Sequence, residues 1–371
     1  MKIGIDGRAL TGRYTGDRTY WWNLLRAYAA ESGGIQFTVY SRTPVEVGLL
    51  PKVDHINCKV IPAGNDRVWT LSCFPRALQE DGIDVAHTQY TTPAHTPCAI
   101  VTTVHDISFR LHPKWFPRKD RMLLNFTIPG AMKRAAHVIT DSESSRADML
   151  RVYKMDPSHI TAIHLAAGPE YSPVDKSIAT KLVAEKYGLN DLYLLSVGVL
   201  QPRKNLPLLL KSFAKAKQES DIPHKLVLSG KAGWGTQNLQ TMAAELGIMD
   251  HIQFTGYVED ADLPAIYSAA TALAYPSLYE GFGLPPVESM SCGTPVLVSD
   301  APCMPEIAGS GAWVLPVEDV DAWSSAIISL LKSTDLQAEW SKKGLARARE
   351  FSWHKTASQT IQIYRSALAH K

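Results

Sequence analysis

Thirteen short runs rich in β-branched and aromatic residues alternate with segments of helical length along almost the whole chain, and few folds accept that rhythm. Strands separated by helical crossovers pair in parallel, and a parallel sheet needs helices over both faces. The first series reads KIGID, FTVYS, CKVIPA, DVAHTQ, IVTTVHD, HVITDS and TAIHLA; the second restarts at YLLSVGV and continues through KLVLSG, IQFTGYV, TALAYPS, PVLVSD and AWVLPV. Between them lies AAGPEYSPVDKS, Ala166 to Ser177, a Pro-, Gly- and polar-rich stretch that reads as a linker. The fold class is therefore α/β, with two Rossmann-like, doubly wound parallel-sheet domains facing across a cleft. The expected domains are residues 1–170, residues 171–351, and a C-terminal helix over 352–371 that could return to the first domain. That helix has Ser352 as N-cap, with Trp353, Ile361, Tyr364 and Leu368 on related faces. At 371 residues the chain has room for two cores. Open α/β sheets bind ligands beyond the carboxyl ends of their strands, so the cleft is the default site.

Composition removes several classes. Apolar residues make up 45% and charged residues 20%, which is globular rather than disordered. A formal charge of +2 gives no reason to expect nucleic acid as a partner. The positive excess is local: residues 110–134 hold seven basic residues against one acid. Five scattered cysteines with no CxxC pair read as reduced thiols, mostly buried, rather than a disulfide frame or zinc site. The opening MKIGIDGRAL is already strand-like, which argues against export and for a cytoplasmic protein. The longest apolar run, LYLLSVGVL, is far short of the ~20 residues that span a bilayer, so membrane contact could only be peripheral.

Two stretches carry most of the chemistry. In YEGFGLPPVE, a strand-to-helix loop leads into a helix expected near Leu284, with Pro285 and Pro286 in its first turn, where a missing N–H is tolerated. Gly281 and Gly283 let backbone approach a ligand, and the helix start offers N–H groups and partial positive charge to an anion. Glu280 stands before the loop and Glu288 just inside the helix. This layout suits a nucleotide sugar, with diphosphate at the helix end and carboxylates on ribose and sugar hydroxyls; the alternative is two solvated acids. In SVGVLQPRKNLP, Arg203 and Lys204 follow a strand and precede a helix, where two cations can neutralise a diphosphate; alone they would read as solvated loop cations.

Taken together, YEGFGLPPVE, GVLQPRKNLP, SGKAGWG, GYVEDADLPAIYSAA and SCGTPVLVSD resemble, in order and spacing, the retaining GT-B-fold glycosyltransferases of family four, group 1 glycosyl transferases of mannosyltransferase-like type. The resemblance extends to the C-terminal FSW helix. It implies that Glu280 positions the donor sugar, Glu288 holds the ribose, and Arg203 and Lys204 grip the diphosphate. The GFGL loop, Gly281, Phe282, Gly283 and Leu284, would lie against the donor, and Tyr257 and Val258 would offer backbone to the base. Members often carry an arginine after the glycine equivalent to Gly198; here Val199 stands there, which shifts the phosphate grip to Arg203 and Lys204.

In the first half, DGRALTGRYTGDRTY is a Gly-rich turn in which the resemblance makes Gly16 part of a loop facing diphosphate and acceptor. TTVHDIS puts His105 and Asp106 at a strand end, and the resemblance gives His105 a catalytic place near the donor sugar. The segment RLHPKWFPRKDRMLLNFTIPGAMKR joins Lys114, Arg118, Lys119 and Arg121 to Trp115, Phe116, Leu123, Leu124, Phe126 and Ile128. It reads either as an acceptor-side or anionic-membrane surface, or as a core helix with a solvated basic face. The strings DAD (Asp260 to Asp262) and DVD (Asp319 to Asp321) precede helices and read as caps, so no metal site is expected.

The reading is thus a retaining, metal-independent hexosyltransferase of polysaccharide or O-antigen-type synthesis. Its donor would be GDP-mannose first and a UDP-hexose second, with no permanently bound cofactor and a glycan or lipid-linked oligosaccharide acceptor. A place on the inner face of the cytoplasmic membrane stays open. A GT-B-shaped epimerase or phosphorylase and a non-catalytic sugar-binding protein are the alternatives.

Overall fold

The computed structural model describes all residues except 12–15, 31–32, 47, 49, 234–237 and 370–371. Part of the Gly-rich turn after the first strand and part of SGKAGWG therefore lie outside the described residues. The chain forms two compact units: Met1–Leu165 with Ser352–Lys371, and Ala166–Phe351. The stretch read as a linker thus begins where unit 2 does.

Unit 1 holds β1 (Lys2–Asp6), β2 (Gln36–Ser41), β3 (Ile56–Val60), β4 (Val85–Gln89), β5 (Ala99–Thr103), β6 (His137–Thr140) and β7 (Ile160–Ala162), in the order β3-β2-β1-β4-β5-β6-β7. Every pairing is parallel, with Ile3 opposite both Phe37 and Val85. Unit 2 holds β8 (Tyr193–Val197), β9 (Lys225–Ser229), β10 (Ile252–Gly256), β11 (Ala272–Tyr275), β12 (Val296–Ser299) and β13 (Trp313–Leu315), in the order β10-β9-β8-β11-β12-β13, again all parallel. Strand interiors such as Ile3, Ile5, Leu194, Leu195, Leu273 and Val298 are wholly buried, as sheets covered on both faces require.

Winding reverses between β1 and β4 in unit 1 and between β8 and β11 in unit 2. At such switch points the connections leave in opposite directions and open a crevice beyond the carboxyl ends. Each run read as strand contains one, yet most ladders stop two or three residues earlier than the β-rich run does; β5, for example, ends at Thr103 rather than Asp106. The surplus residues lie beyond the carboxyl ends of the strands.

The helix Trp353–Ala369 belongs to unit 1. Ser352 Oγ accepts the Lys355 N–H at its start (3.3 Å). Trp353, Ile361 and Tyr364 are buried, whereas Leu368, read as sharing their face, is 37% exposed. Tyr364 Oη lies 2.9 Å from Tyr28 Oη and 2.6 Å from His87 Nδ1, and His87 Nε2 lies 2.8 Å from Thr103 Oγ1. Burial, reinforced by the charge of His105, pushes the His87 pKa down to about 3, so this histidine is a neutral strut that pins the helix to the sheet.

Candidate functional site

In unit 2 the switch-point crevice is formed by residues after β8 and β11. Arg203 and Lys204 occupy a short 3₁₀ turn, Pro202–Lys204, before the helix Leu206–Glu219, and the Leu278 N–H donates to the Arg203 carbonyl at 2.8 Å. That bond ties the two rims together. Glu280 is 5% exposed; its Oε2 lies 2.9 Å from Arg203 Nη1 and its Oε1 2.7 Å from Lys204 Nζ. Tyr275 Oη donates to the same Oε1 (3.0 Å) and accepts from Lys204 Nζ (2.5 Å). Burial opposes ionisation of Glu280, but Arg203 and Lys204 outweigh it and hold its pKa at about 2. Burial lowers Lys204 to about 8, against the pull of Glu280. At neutral pH the cluster therefore has two cations and one anion, a fixed net charge of +1 largely withdrawn from solvent. One further anion is its natural complement. Neither Glu280 nor Lys204 is the solvated group that an isolated motif would allow.

Three glycines close neighbouring strands on one side of this crevice. Gly198, Gly230 and Gly256 stand at the carboxyl ends of neighbouring β8, β9 and β10, with φ of +132°, +143° and +69°. A Cβ on Gly230 would meet the Gly198 carbonyl oxygen at 2.0 Å, and one on Gly198 would press on Lys204 Cε at 3.2 Å. Val199, the residue after Gly198, is 49% exposed. Beyond β10, Val258 is buried, and Lys231 Nζ stands 4.3 Å over the Tyr257 ring.

The GFGL loop is clamped from below. Gly283 has φ +96°, and a Cβ there would approach Met304 Cε to 2.4 Å. The Cys303 thiol donates to the Phe282 carbonyl at 3.3 Å. The helix Leu284–Ser291 starts where the sequence places it, but Pro285 and Pro286 remove two of its first N–H donors. Its N-terminus is a weaker anion receptor than expected, which leaves the side-chain cations as the stronger candidates for that role.

Glu288 lies in the second turn of that helix, 8% exposed, and its Oε2 accepts from Tyr267 Oη at 2.7 Å. Burial pushes its pKa up to about 7, and Asp260 and Glu170 add to this against hydrogen bonds from Tyr267 and Tyr171. Two carboxylates eight positions apart are thus held in opposite states, Glu280 always ionised and Glu288 poised to titrate near neutrality.

Unit 1 presents its own crevice. His105, just past β5, directs Nδ1 to Asp141 Oδ2 (2.7 Å), while Nε2 lies 3.0 Å from Gln89 Nε2 and 3.6 Å from Asp17 Oδ1. Burial opposes the charged ring, but Asp141, Asp17 and Asp106 prevail and raise its pKa to about 9. The imidazolium so favoured needs the amide oxygen of Gln89, rather than its nitrogen, to face Nε2. Asp106 serves the turn, accepting the Ser108 N–H at 2.8 Å. Gly16 is the first residue of the helix Gly16–Tyr28, and an added Cβ would meet nothing within 4 Å among the described residues, so their packing does not require glycine there.

The basic segment folds as the helix Arg118–Arg134, with Ile128, Ala131 and Met132 buried. Phe126 is 86% exposed, Met122 69% and Leu123 51%. Their exposure corrects the core-helix reading for Leu123 and Phe126. Lys114, Arg118 and Lys119 are exposed around them, and Trp115 and Arg121 are half-buried. Trp115 stacks on His112 at 4.0 Å.

The acidic strings divide. Asp319 caps its helix by accepting the N–H groups of Asp321 and Ala322. Asp262 makes no cap; its carboxylate takes Lys186 Nζ (2.8 Å) and Tyr187 Oη (2.6 Å). Among the described residues no group of three His, Cys, Asp or Glu is arranged to hold a metal ion, and no helix is long and apolar enough to cross a membrane. Cys98, Cys292 and Cys303 are buried, whereas Cys58 is exposed.

Comparisons with known proteins bear on these crevices. The family model for Glycosyltransferase Family 4 matches residues 14–168, and that for Glycosyl transferases group 1 matches residues 181–347. The chain is 36% identical over 267 residues to O-antigen chain mannosyltransferase B of Escherichia coli, covering 71% of this chain and 70% of that protein. It is 34% identical to the O-antigen chain mannosyltransferase RfbU of Salmonella typhimurium, over 63% of this chain and 61% of that one. Its fold matches that of sucrose-phosphate synthase from Thermosynechococcus elongatus, with a TM-score of 0.77 at 20% identity over 100% and 99% of the two chains. HepE of Anabaena in complex with UDP-glucose gives 0.76 at 18% identity, over 99% and 100%.

Proposed function

The chain is a member of the family 4 glycosyltransferases, and from that premise we propose that it transfers a mannosyl group from GDP-mannose to a sugar hydroxyl of a growing O-antigen-type glycan, with retention and without a metal. The observation that carries this reading is the buried Arg203, Lys204 and Glu280 cluster with its net positive charge. As the donor's bond from sugar C1 to phosphate oxygen breaks, negative charge grows on the departing diphosphate. Arg203 and Lys204 are already fixed by Glu280 and Tyr275, so they meet that charge without reorganising. The cluster thereby does the electrostatic work that a divalent cation does elsewhere. The new bond forms between C1 and the acceptor oxygen on the face the diphosphate leaves, and the acceptor's proton passes to a phosphate oxygen. That path yields retention without a covalent enzyme intermediate.

Glu288 takes the ribose hydroxyls, with Tyr267 fixing its rotamer. Gly281, Phe282, Gly283 and Leu284 face the donor, and backbone near Tyr257 and Val258 meets the base. His105, held by Asp141, supplies an N–H to a substrate oxygen, and Gly16 belongs to the loop that faces the substrates. GDP-mannose is preferred over a UDP-hexose because the two O-antigen relatives are named mannosyltransferases. The exposed Phe126, Met122 and Leu123 amid Lys114, Arg118 and Lys119 support peripheral attachment to an anionic membrane, where lipid-linked acceptors reside.

Calorimetric titration with GDP-mannose, UDP-glucose and UDP-N-acetylglucosamine tests the donor, and the anomeric configuration and EDTA tolerance of the transfer product test the mechanism. Only GDP-mannose should bind tightly, and the product should be α-linked. Tight binding of a UDP-sugar alone would overturn the donor assignment, and an inverted product the mechanism. Replacing Phe126 and Met122 by serine should abolish cosedimentation with anionic vesicles; unchanged cosedimentation removes the membrane proposal.

A further inference from the structure

The stretch read as a linker carries a side chain into the site of unit 2. The Tyr171 N–H donates to the Gly168 carbonyl at 3.0 Å, which closes a turn, and the Val174 N–H donates to Ser268 Oγ at 3.1 Å. The second bond ties the stretch to the helix Leu263–Ala269, which also carries Tyr267. The Tyr171 and Tyr267 rings are tilted by 60° with centroids 6.0 Å apart, and both phenols hydrogen-bond one carboxylate, that of Glu288. Tyr267 is wholly buried and its carbonyl accepts from Thr294 Oγ1 at 2.7 Å, whereas Tyr171 is half-buried. All of these residues belong to unit 2.

Five titratable groups face Glu288: Tyr171 and Glu170 from the linker stretch, Tyr267 from the helix Leu263–Ala269, Asp260 from the turn before that helix, and the Cys292 thiol at the end of its own helix. Burial and the Glu288 charge hold both phenols far above the ordinary 10, and burial pushes the thiol up to about 12, so all three keep their protons. Each phenol therefore offers Glu288 an O–H. An ionised carboxylate has about four lone-pair sites, so two phenols leave room for the two hydroxyls of a ribose. Phenols and ribose hydroxyls alike favour the charged carboxylate, whereas burial, Asp260 and Glu170 favour the neutral acid. A nucleotide sugar thus binds the ionised form, and in acid it must first displace a proton.

We infer that Tyr171 is a positioning residue for Glu288: it orients the carboxylate, favours its charged form, and so sets the acid limit of nucleotide-sugar binding. The inference rests on the ribose role proposed for Glu288 and deepens it. Below about pH 7 Glu288 takes up a proton, and affinity should fall about tenfold per pH unit. Above about pH 8 Lys204 loses its charge, which gives a separate alkaline limb. Tyr171→Phe removes one hydrogen bond to the anion, so the acid limb should move to higher pH by about half to one unit. The alkaline limb should stay in place, because the partners of Lys204 are Tyr275 and Glu280.

The test is calorimetric titration of the whole protein with GDP-mannose and UDP-glucose, whose diphosphates have no proton to exchange between pH 5.5 and 9. Relative to wild type, Tyr171→Phe should bind about three- to tenfold more weakly at pH 6 and within about twofold at pH 7.8, with superimposable alkaline limbs. Glu288→Gln should lack the acid limb, and adding Tyr171→Phe to it should change affinity less than about twofold. A loss that is equal at every pH, an acid limb that does not move, or the same loss in the Glu288→Gln background each overturns the inference. A second measurement needs no ligand: carbon-13 NMR of the glutamate carboxyl carbons, with Glu288 identified by the signal missing from Glu288→Gln, follows its titration midpoint. That midpoint should rise in Tyr171→Phe, and an unmoved midpoint overturns the inference whatever binds. A raised midpoint in a protein that binds neither nucleotide sugar would instead count against the nucleotide-sugar reading and leave the hold of Tyr171 on Glu288 standing.

Discussion

Glu288→Gln should make the protein more stable and bind its donor less well, and the two effects should separate with pH. Burial favours the neutral carboxyl, and the folded pKa of about 7 stands above the ordinary 4.5. For an acid whose pKa is raised on folding, the native state binds the proton more tightly, so the stability contribution is complete below 4.5 and is lost as pH rises toward 7. Above pH 7 the wild type bears a buried carboxylate among Asp260, Glu170 and two tyrosines, at a cost of about 3 kcal/mol. Glutamine keeps the carbonyl that accepts from Tyr267 and never ionises. For a unit of this size that difference corresponds to roughly 5–10 °C in the melting transition of unit 2 at pH 8.5, shrinking to about 1–3 °C at pH 5. Scanning calorimetry of both proteins at the two pH values measures it. Donor binding should move the other way, because the amide is a poorer acceptor for ribose hydroxyls. A Glu288→Gln protein that is less stable at pH 8.5, or equally offset at both pH values, would refute the argument that burial sets this pKa.

Lys204→Met should lower kcat on the order of a hundredfold with the fold intact, since the cluster then balances to zero charge and one preorganised donor is gone; steady-state assays with circular dichroism check it. Gly283→Ala should cost about 1–3 kcal/mol through its positive φ and the collision with Met304, and Met304→Ala in the same chain should recover the steric share but not the backbone share, as read by urea unfolding. Tyr364→Phe should destabilise unit 1 by about 1–3 kcal/mol by stranding His87 and Tyr28, again by urea unfolding, with donor affinity in unit 2 unchanged.

The fold was legible because its signals are periodic and redundant: thirteen runs, one break, and turn chemistry at each carboxyl end. Strand ends were overrun because β-rich residues persist past the last ladder pair, as at Val104, which is buried in the core just beyond β5. In the site, the charged residues stood out by position: Arg203 and Lys204 before a helix, Glu280 and Glu288 around the glycines. Their partners did not. Tyr275 sits inside a strand, where β-propensity already accounts for an aromatic, and nothing marks it as the phenol that bridges Lys204 and Glu280. Asp141 is 36 positions from His105 and meets it only because β5 and β6 are neighbours. Both strands end in an acidic tail, VHD and ITD, which was the available clue. The strand-end glycines left a plainer one, since SVG, LSG and FTG each close a strand with glycine. That proline would thin the N–H groups at Leu284 followed from the sequence too, but needed the donors to be counted one by one.

The Tyr364 strut also bears on how the chain is made. Unit 1 closes over Tyr28 and His87 only when a helix encoded after the whole of unit 2 arrives. At translation speeds of about 5–20 residues per second, the 1–165 segment waits roughly 10–40 s on the ribosome with its central histidine uncovered. Over that interval an acidic environment would protonate His87, and a binding chaperone would find the groove meant for Trp353 and Ile361. The first domain to emerge is therefore the last to be finished, and unit 2 can be complete before unit 1 is.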